Sequence, residues 1–399
     1  MTVVGIDVSK EKSTVAILRH DGRFCNKPFV VEHCKSKFKE LTALLSGLHD
    51  EVKIVMEATG IYHLPILQHL QGAGFFVAVI NPLVLKRWRT QNLRMVKTDK
   101  QDGATIAHYG YEKWFCLQNF SMDSKVYQDF KLLGRHYAHY MEIHISALQG
   151  LNHLVDQTLP GIKKFFQSTN NVNGKNKFAD FVEQYWHHDN ITRFSEEEFI
   201  ADYNSWARQK GYLQSAEKAK AVYAQAIEVI PLLDSGKITQ FLVSQAVEVI
   251  RQIDLALNQI LSRMTQLAKI LPEYDVVKEM SGVGEKLAAR LIAEEIGDIR
   301  RLRGAKSLVT CAGIDSPPYQ SGKFTGENRR ISKRGSALLR KIGYEVMLCV
   351  KAHKPKTDFA VYNFIVKKES EGKAKRVAKI AGLNKFLHIY YARVKEVCT

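Results

Sequence analysis

Thr2-Val3-Val4-Gly5-Ile6-Asp7-Val8 is a β-branched run interrupted by one glycine and one carboxylate. A second such run, residues 14–18, follows across a turn at 9–13, so the two read as a hairpin. Residues 29–31 predict a third strand. Phe38, Leu41, Leu44, Leu45 and Leu48 then recur at helical spacing and stop near Gly47. Val52-Lys53-Ile54-Val55-Met56 has the composition of a buried strand and delivers Glu57 at its end. Thr59-Gly60 predicts the start of a helix that runs to Gly72. Residues 75–80 predict a further strand, stopped by Asn81-Pro82 and followed by another helix. A hairpin leading into alternating strands and helices implies a mixed α/β sheet with helices on its faces.

Four acids stand out against this frame. A carboxylate inside an apolar strand is costly unless it is paired or bound to metal, which singles out Asp7. Glu57 sits at a strand's carboxyl end, where ligands gather in open α/β sheets. Further on, Lys97-Thr98-Asp99-Lys100-Gln101-Asp102 has the form of a helix start, with Thr98 as cap and Gln101 completing a capping box. Asp99 and Asp102, three apart, share one helical face. They repel each other unless a cation lies between them; the plainer reading is that Asp99 complements the helix dipole and Asp102 is solvated. Asp7, Glu57, Asp99 and Asp102 together form an oxygen-only donor set suited to Mg²⁺ or Mn²⁺. Two such ions serve phosphodiester chemistry.

The 399 residues imply two or three domains. Lysine and arginine outnumber acids 58 to 41, a net charge of +17 that points to a polyanionic partner. No apolar stretch reaches the length of a membrane span, and the first residues lack a signal-peptide layout. Nucleic acid is therefore the expected partner rather than membrane, and the cytoplasm, in association with the nucleoid, the expected location. The basic run Lys86-Arg87-Trp88-Arg89, continuing to Arg94 and Lys97, is a candidate phosphate contact. Six scattered cysteines without a C-x-x-C pair argue against a zinc knuckle or a disulfide framework.

In the middle of the chain, Leu133, Tyr137, Tyr140, His144, Ala147, Leu151 and Leu154 alternate spacings of four and three. Ile250, Ile253, Leu257, Ile260, Met264, Leu267 and Leu271 do the same. The two heptad runs predict a coiled coil, either an antiparallel hairpin within one chain or a seam between copies; a plain bundle core is the alternative. Between them, residues 161–235 read as an insertion with an aromatic-rich satellite core, and His187-His188 as surface polar residues.

Met280-Ser281-Gly282-Val283-Gly284-Glu285-Lys286 resembles a helix-hairpin-helix turn, in which backbone N–H groups meet phosphate. Gly282, Gly284 and Lys286 are its candidate contacts. Residues 300–341 hold eleven Lys or Arg against two acids, Asp315 and Glu327. Lys323, Arg329, Arg330, Lys333 and Arg334 are candidate phosphate ligands there. Ser321, before Gly322 on a loop flanked by proline and glycine, is placed either to attack a phosphodiester amid cations or simply to make a turn.

Gly5-Ile6-Asp7-Val8-Ser9-Lys10, Glu57-Ala58-Thr59-Gly60-x-Tyr62 and Lys97-Thr98-Asp99-x-x-Asp102 resemble the DEDD transposases of the insertion-sequence "one-ten" family, relatives of the Piv-type DNA invertases. A second signature is a small-Pro loop with Ser-Gly, followed by Ile331-x-Lys333-x-Gly335-x-x-x-Leu339. Motif-level similarity covers residues 1–110 and 275–350. The resemblance implies an RNase H-like (RuvC-type) domain at 1–115 whose four acids are Asp7, Glu57, Asp99 and Asp102. It further implies a helical and coiled-coil region at 116–275 and a C-terminal transposase domain at 276–399. Ser321 would be the nucleophile, with Ser316 the rival because the loop reads Asp315-Ser316-Pro317-Pro318. Mg²⁺ or Mn²⁺, donor and target double-stranded DNA, a structured guide RNA, and a homodimer or homotetramer complete what it implies. Gly103, where the family usually has alanine, is expected to weaken its helix without touching the site. The competing readings are a metal-dependent nuclease such as a junction resolvase, with Ser321 structural, and a non-enzymatic nucleic-acid scaffold. An actin-like ATPase, suggested by Gly5-Ile6-Asp7 alone, lacks further glycine-rich phosphate loops.

Overall fold

A computed structural model describes the chain apart from residues 91–98, 122–123, 167–175, 294–295, 317–319, 322–323, 326–329 and 399, and apart from the side chains of 99–101, 320–321 and 324–325. It divides into two compact units, Met1–Met122 and Asp123–Thr399. The sequence predicts three regions, the first ending at 115.

In the first unit the order is β1 (Thr2–Val8), β2 (Lys12–Leu18), β3 (Phe29–Glu32), α1 (Lys35–Ser46), β4 (Val52–Glu57), α2 (Leu64–Gly72), β5 (Phe76–Ile80), α3 (Pro82–Arg89) and α4 (Asp99–Glu112). The strands line up as β3-β2-β1-β4-β5. β2 is antiparallel to both β1 and β3, while β1, β4 and β5 are parallel. This is the mixed α/β sheet with helices on its faces that the alternation of strands and helices implies. Alternation along the strands divides the core. Val4, Ile6, Val8, Ile54 and Met56 meet Phe38, Leu41 and Leu45 of α1 and Ile66, Leu67 and Leu70 of α2. Val3 and Val55 point the other way, to Leu85 of α3 and Ile106 of α4. The helix predicted from residue 59 begins only at Leu64. Gly60 adopts φ +50°, outside the right-handed helical region, and the Tyr62 amide donates to the Thr59 carbonyl in a separate turn.

In the second unit α5 (Lys125–Thr158) runs to an insertion made of α6 (Lys177–Gln184), α7 (Asp189–Thr192), α8 (Glu196–Lys210) and α9 (Ala216–Glu228), and α10 (Lys237–Ala268) returns from it. There follow α11 (Tyr274–Lys278), α12 (Glu285–Ala293), α13 (Ala305–Cys311), the short strands β6 (Gln320–Ser321) and β7 (Phe324–Thr325), then α14 (Ala337–His353), α15 (Ala360–Ser370) and α16 (Lys375–Cys398). The two heptad runs meet each other within the chain and are antiparallel. Phe130, early in α5, shares a core with Met264 and Ala268, late in α10. Leu151 and Val155, late in α5, share another with Val243, Val247 and Ile250, early in α10. Between the two cores His144 Nε2 lies 3.0 Å from Asp254 Oδ1.

The insertion has its own aromatic core, in which Phe181, Tyr185, Phe199, Tyr203 and Trp206 are buried. Helix α8 shows how sharply the sequence sets local bounds. Ser195 and Glu198 form a reciprocal capping box, and Gly211 ends the helix at φ +75°. Arg251 of α10 ties the insertion down by hydrogen bonds to Asp180 and Glu183, and that guanidinium holds the Glu183 carboxyl below its ordinary range. His187 departs from expectation: it is buried, because the chain turns inward at 185–188 instead of continuing α6.

Candidate active site

Ile6 and Met56 pair in register on the parallel strands β1 and β4, so Asp7 and Glu57 follow side by side at adjacent strand positions. Alternation puts both on the face that carries Gly5 and Val55, the face covered by α4. Asp7 is the one residue of β1 that is not fully buried. Helix α4 reaches the sheet unusually closely. A Cβ added to Gly5 would lie 2.3 Å from both the Ala107 nitrogen and the Gly103 oxygen. Gly110 rests against Val55 and Val3, and a Cβ on Gly103 would come within 3.0 Å of the Thr14 carbonyl oxygen. Gly5 above all lets α4 lie directly on the strands, with Gly110 packed on Val55 and Val3 and Gly103 facing the Thr14 carbonyl. Residues 103, 107 and 110 form a small-residue stripe at helical spacing, a signal that the sequence itself carries.

That close approach carries Asp102, in the first turn of α4, to the strand ends. Asp102 Oδ1 accepts an ion pair from Arg89 Nη1 at 3.1 Å, and Arg89 Nη2 lies 3.9 Å from Glu57 Oε2. Two carboxylates 45 positions apart thus share one guanidinium. Arg89 is held there because α3 packs on α4: Leu85 is buried with Ile106, and the Trp88 indole N–H donates to Glu112 at 3.0 Å. The Nε and Nη2 of Arg89 are buried without a hydrogen-bond partner. Arg89, read from sequence as a phosphate contact, instead faces the acids, whereas its neighbours Lys86 and Arg87 are exposed. Asp99 opens α4 three residues before Asp102. Thr98, Arg94 and Lys97 lie outside the described residues, so the predicted cap is not among the features described.

Positive charge already stands among these acids in the form of Arg89, and an oxygen-only donor set suits a hard divalent ion. Asp7, Glu57 and Asp102 supply oxygen donors of that kind, and Arg89 stands between Glu57 and Asp102. Among the described residues the ligand oxygens of Asp7, Glu57 and Asp102 do not all come within 4.8 Å of one another. The guanidinium spaces Glu57 from Asp102.

In the second unit, β6 and β7 form a hairpin with Ser321 paired to Phe324 and Gln320 to Thr325. Its stem is clamped at the base. The Ser332 amide donates to the Asp315 carbonyl at 2.8 Å, and the Lys333 amide to the Gly313 carbonyl at 2.9 Å. Arg340 donates to the carbonyls of Ala312, Gly335 and Ser336. The second signature becomes legible residue by residue. Ile331 packs on the core, and Lys333 takes a left-handed φ of +53°. Gly335 leaves no room for a Cβ, which would lie 2.1 Å from the Cys311 oxygen, and Leu339 is buried. Ser316 is exposed, with its hydroxyl 3.5 Å from the Arg330 carbonyl oxygen. Arg330, Lys333 and Arg334 are exposed around this stem, while Lys323 and Arg329 lie outside the described residues.

The turn between α11 and α12 divides its glycines. Gly282, at φ +81°, packs against α14, where a Cβ would lie 2.5 Å from a Val350 methyl. Gly284 has open space around it, and Lys286 is exposed. The Ser281 amide is already taken by Asp358 at 3.1 Å. Of the pair, Gly284 keeps the room to meet a phosphate, and Gly282 serves packing.

A family model for IS110 DEDD transposases matches residues 4–160, and a second, for the IS116/IS110/IS902 transposase family, matches residues 274–362. The chain belongs to this family of transposases. The first match takes in all four acids, the second the helix-hairpin-helix-like turn and the clamped hairpin. The pilin gene-inverting protein of Moraxella bovis is 22% identical over 402 residues, covering 99% of this chain and 96% of that protein. Among solved structures, Thermus thermophilus RuvC aligns with 16% identity and a TM-score of 0.25 over 30% of this chain and 100% of RuvC. T. thermophilus RuvC in complex with a Holliday junction substrate aligns with 15% identity and a TM-score of 0.23, again over 30% of this chain and 100% of that one. Among the described residues no helix is long and apolar enough to cross a membrane.

Proposed function

We propose that this family member is a recombinase that cuts and rejoins double-stranded DNA through a covalent serine intermediate. The observation that supports the proposal is the shared guanidinium: Glu57 and Asp102, far apart in sequence, both reach Arg89. Asp7, Glu57, Asp99 and Asp102 would hold Mg²⁺ or Mn²⁺, which when bound supplies charge neutralisation at a phosphodiester. Ser321 supplies the nucleophile. Its Oγ forms a bond to phosphorus, the bridging oxygen of the DNA strand leaves and takes up a proton, and the hydroxyl proton passes to solvent or a nearby base. The phosphoserine ester keeps the bond energy, so the hydroxyl of another strand reverses the step and rejoins DNA. Lys86, Arg87, Lys286, Arg330, Lys333 and Arg334 steer and hold the backbone, with Arg94, Lys97, Lys323 and Arg329 in the same role.

The curated relative's name, pilin gene-inverting protein, supports DNA rearrangement as the outcome class. In this reading the protein works in the cytoplasm on the nucleoid, with a structured guide RNA and as a dimer or tetramer. The test is adduct trapping on end-labelled donor DNA with a divalent ion present. A covalent protein–DNA species should form with the unaltered protein and with Ser316→Ala, and vanish in Ser321→Ala and Asp102→Asn. Hydrolytic nicking that persists undiminished in Ser321→Ala would replace this reading with a metal-dependent nuclease.

A further inference from the structure

The insertion holds a side-chain cluster that DNA chemistry does not use. Among the described residues, one group of His, Cys, Asp and Glu brings its ligand atoms within 4.8 Å of one another: His187, His188 and Asp189. His187 Nδ1 lies 3.2 Å from Asp189 Oδ2, and His188 Nε2 lies 3.1 Å from Asp189 Oδ1. The imidazole centroids are 4.7 Å apart and tilted by 45°, so the rings do not stack flat.

Two of the three residues are held by contacts outside the trio, His187 by Leu233 and Asp189 by Ser235. His187 is buried, and its Nε2 faces the Leu233 carbonyl at 3.1 Å. A proton on Nε2 serves that contact and leaves the Nδ1 lone pair directed at Asp189, the arrangement of histidine ligands backed by a carbonyl. His187 Nδ1 accepts a hydrogen bond from the Asp189 amide at 3.2 Å, and a bound ion takes the place of that donor. Ser235 hydrogen-bonds the Asp189 carboxylate, which fixes its orientation beside the two imidazoles. Asp189 itself is half exposed, which leaves a side open for water.

We propose that His187 Nδ1, His188 Nε2 and the Asp189 carboxylate form a transition-metal site, most suited to Zn²⁺, with water completing the shell. Two imidazoles and a carboxylate are borderline donors that favour such ions over Mg²⁺. The site's position gives it a purpose. The His188 amide donates to the Thr158 carbonyl at the end of α5, His187 reaches Leu233 and Asp189 reaches Ser235, both just before α10. An ion there pins the insertion to the two long helices at its root. The inference stands on these residues alone and does not depend on the recombinase reading.

The test uses full-length protein stripped with chelator and titrated with Zn²⁺ by calorimetry in excess Mg²⁺, which keeps the acidic strand-end site occupied. One tight equivalent is expected, retained in Asp7→Ala. Affinity should fall by more than about tenfold in His188→Ala and Asp189→Asn, and by roughly tenfold in Ser235→Ala, which removes only the outer contact. X-ray absorption of the zinc-loaded protein should show nitrogen and oxygen neighbours. Unchanged binding in both His188→Ala and Asp189→Asn would overturn the site, as would a sulfur-dominated spectrum or no tight equivalent in the unaltered protein. The spectrum needs no variant, so it decides the matter even where a substitution prevents folding.

Discussion

Replacing Gly5 by alanine is the most direct probe of how the acidic site is built. The new Cβ would sit 2.3 Å from two backbone atoms of α4, where ordinary contact begins at 3.4 Å. Relief demands that α4 lift by about 1 Å, and backbone, unlike a side-chain tip, cannot rotate away. Overpacking of this kind costs about 1–3 kcal/mol, and the rigidity of both partners puts Gly5→Ala at the upper end. For a unit of this size that lowers Tm by roughly 10 °C. The same lift carries Asp102 away from Glu57, and a displacement of about 1 Å at a reacting centre costs on the order of a hundredfold in rate. Two glycines on α4 calibrate the effect. Gly110→Ala meets only valine methyls, at 2.7 and 2.8 Å, and Gly103→Ala a single carbonyl oxygen at 3.0 Å. Each also gains up to about 1 kcal/mol of helix propensity. Gly110→Ala should therefore cost about 1 kcal/mol or less, and Gly103→Ala should be close to neutral. Thermal unfolding of the full chain and DNA cleavage are the two readouts. If Gly5→Ala keeps both the melting temperature and the cleavage rate of the parent, the close seat of α4 does not position the acids.

Other outcomes follow from the same geometry. Gly282→Ala combines a left-handed φ with overlap on Val350 and should destabilise the second unit by a few kcal/mol, whereas Gly284→Ala should leave stability unchanged and weaken DNA binding in a gel-shift titration. The Tyr127 hydroxyl donates to buried Glu273 at 2.7 Å, so Tyr127→Phe should cost about 1.5–3 kcal/mol in denaturant unfolding; an unchanged midpoint would mean that the carboxylate needs no such donor. Hydrogen bonds from Arg300 hold Asp298 below its ordinary value. A lowered folded-state pKa contributes stability above the unfolded value and loses it as pH falls through the folded one. Unfolding followed below about pH 4 should therefore show a steeper loss for the parent than for Asp298→Asn.

Periodicity made the strands legible. β-branched runs were enough to find β1 to β5 in chain order and to place Asp7 within the first and Glu57 at the end of the fourth, while the order of strands within the sheet was not legible. The start of α2 was misplaced because Thr59-Gly60 carries a helix-start pattern, while the left-handed Gly60 that overrides it is a backbone state with no side-chain signal. Arg89 was read with its basic neighbours because charge runs look alike in one dimension. Only the packing of Leu85 and Trp88 on α4 turns it inward. His187 failed the same way: its neighbours give no hint that the chain folds back on Leu233, 46 positions on. The heptads were plain, but whether they close within a chain or between chains depends on which partner is nearer, a matter of tertiary distance.

The antiparallel pairing of α5 and α10 has a mechanical corollary. Helices of 34 and 32 residues form a strut about 50 Å long, with a separate core at each end. Side chains in the aromatic bundle and those around α16 are too far apart to share strain, so substitutions in one should add to those in the other. The insertion can then melt, drift in sequence or be trimmed as a self-contained cartridge, while the opposite end of the strut stays folded.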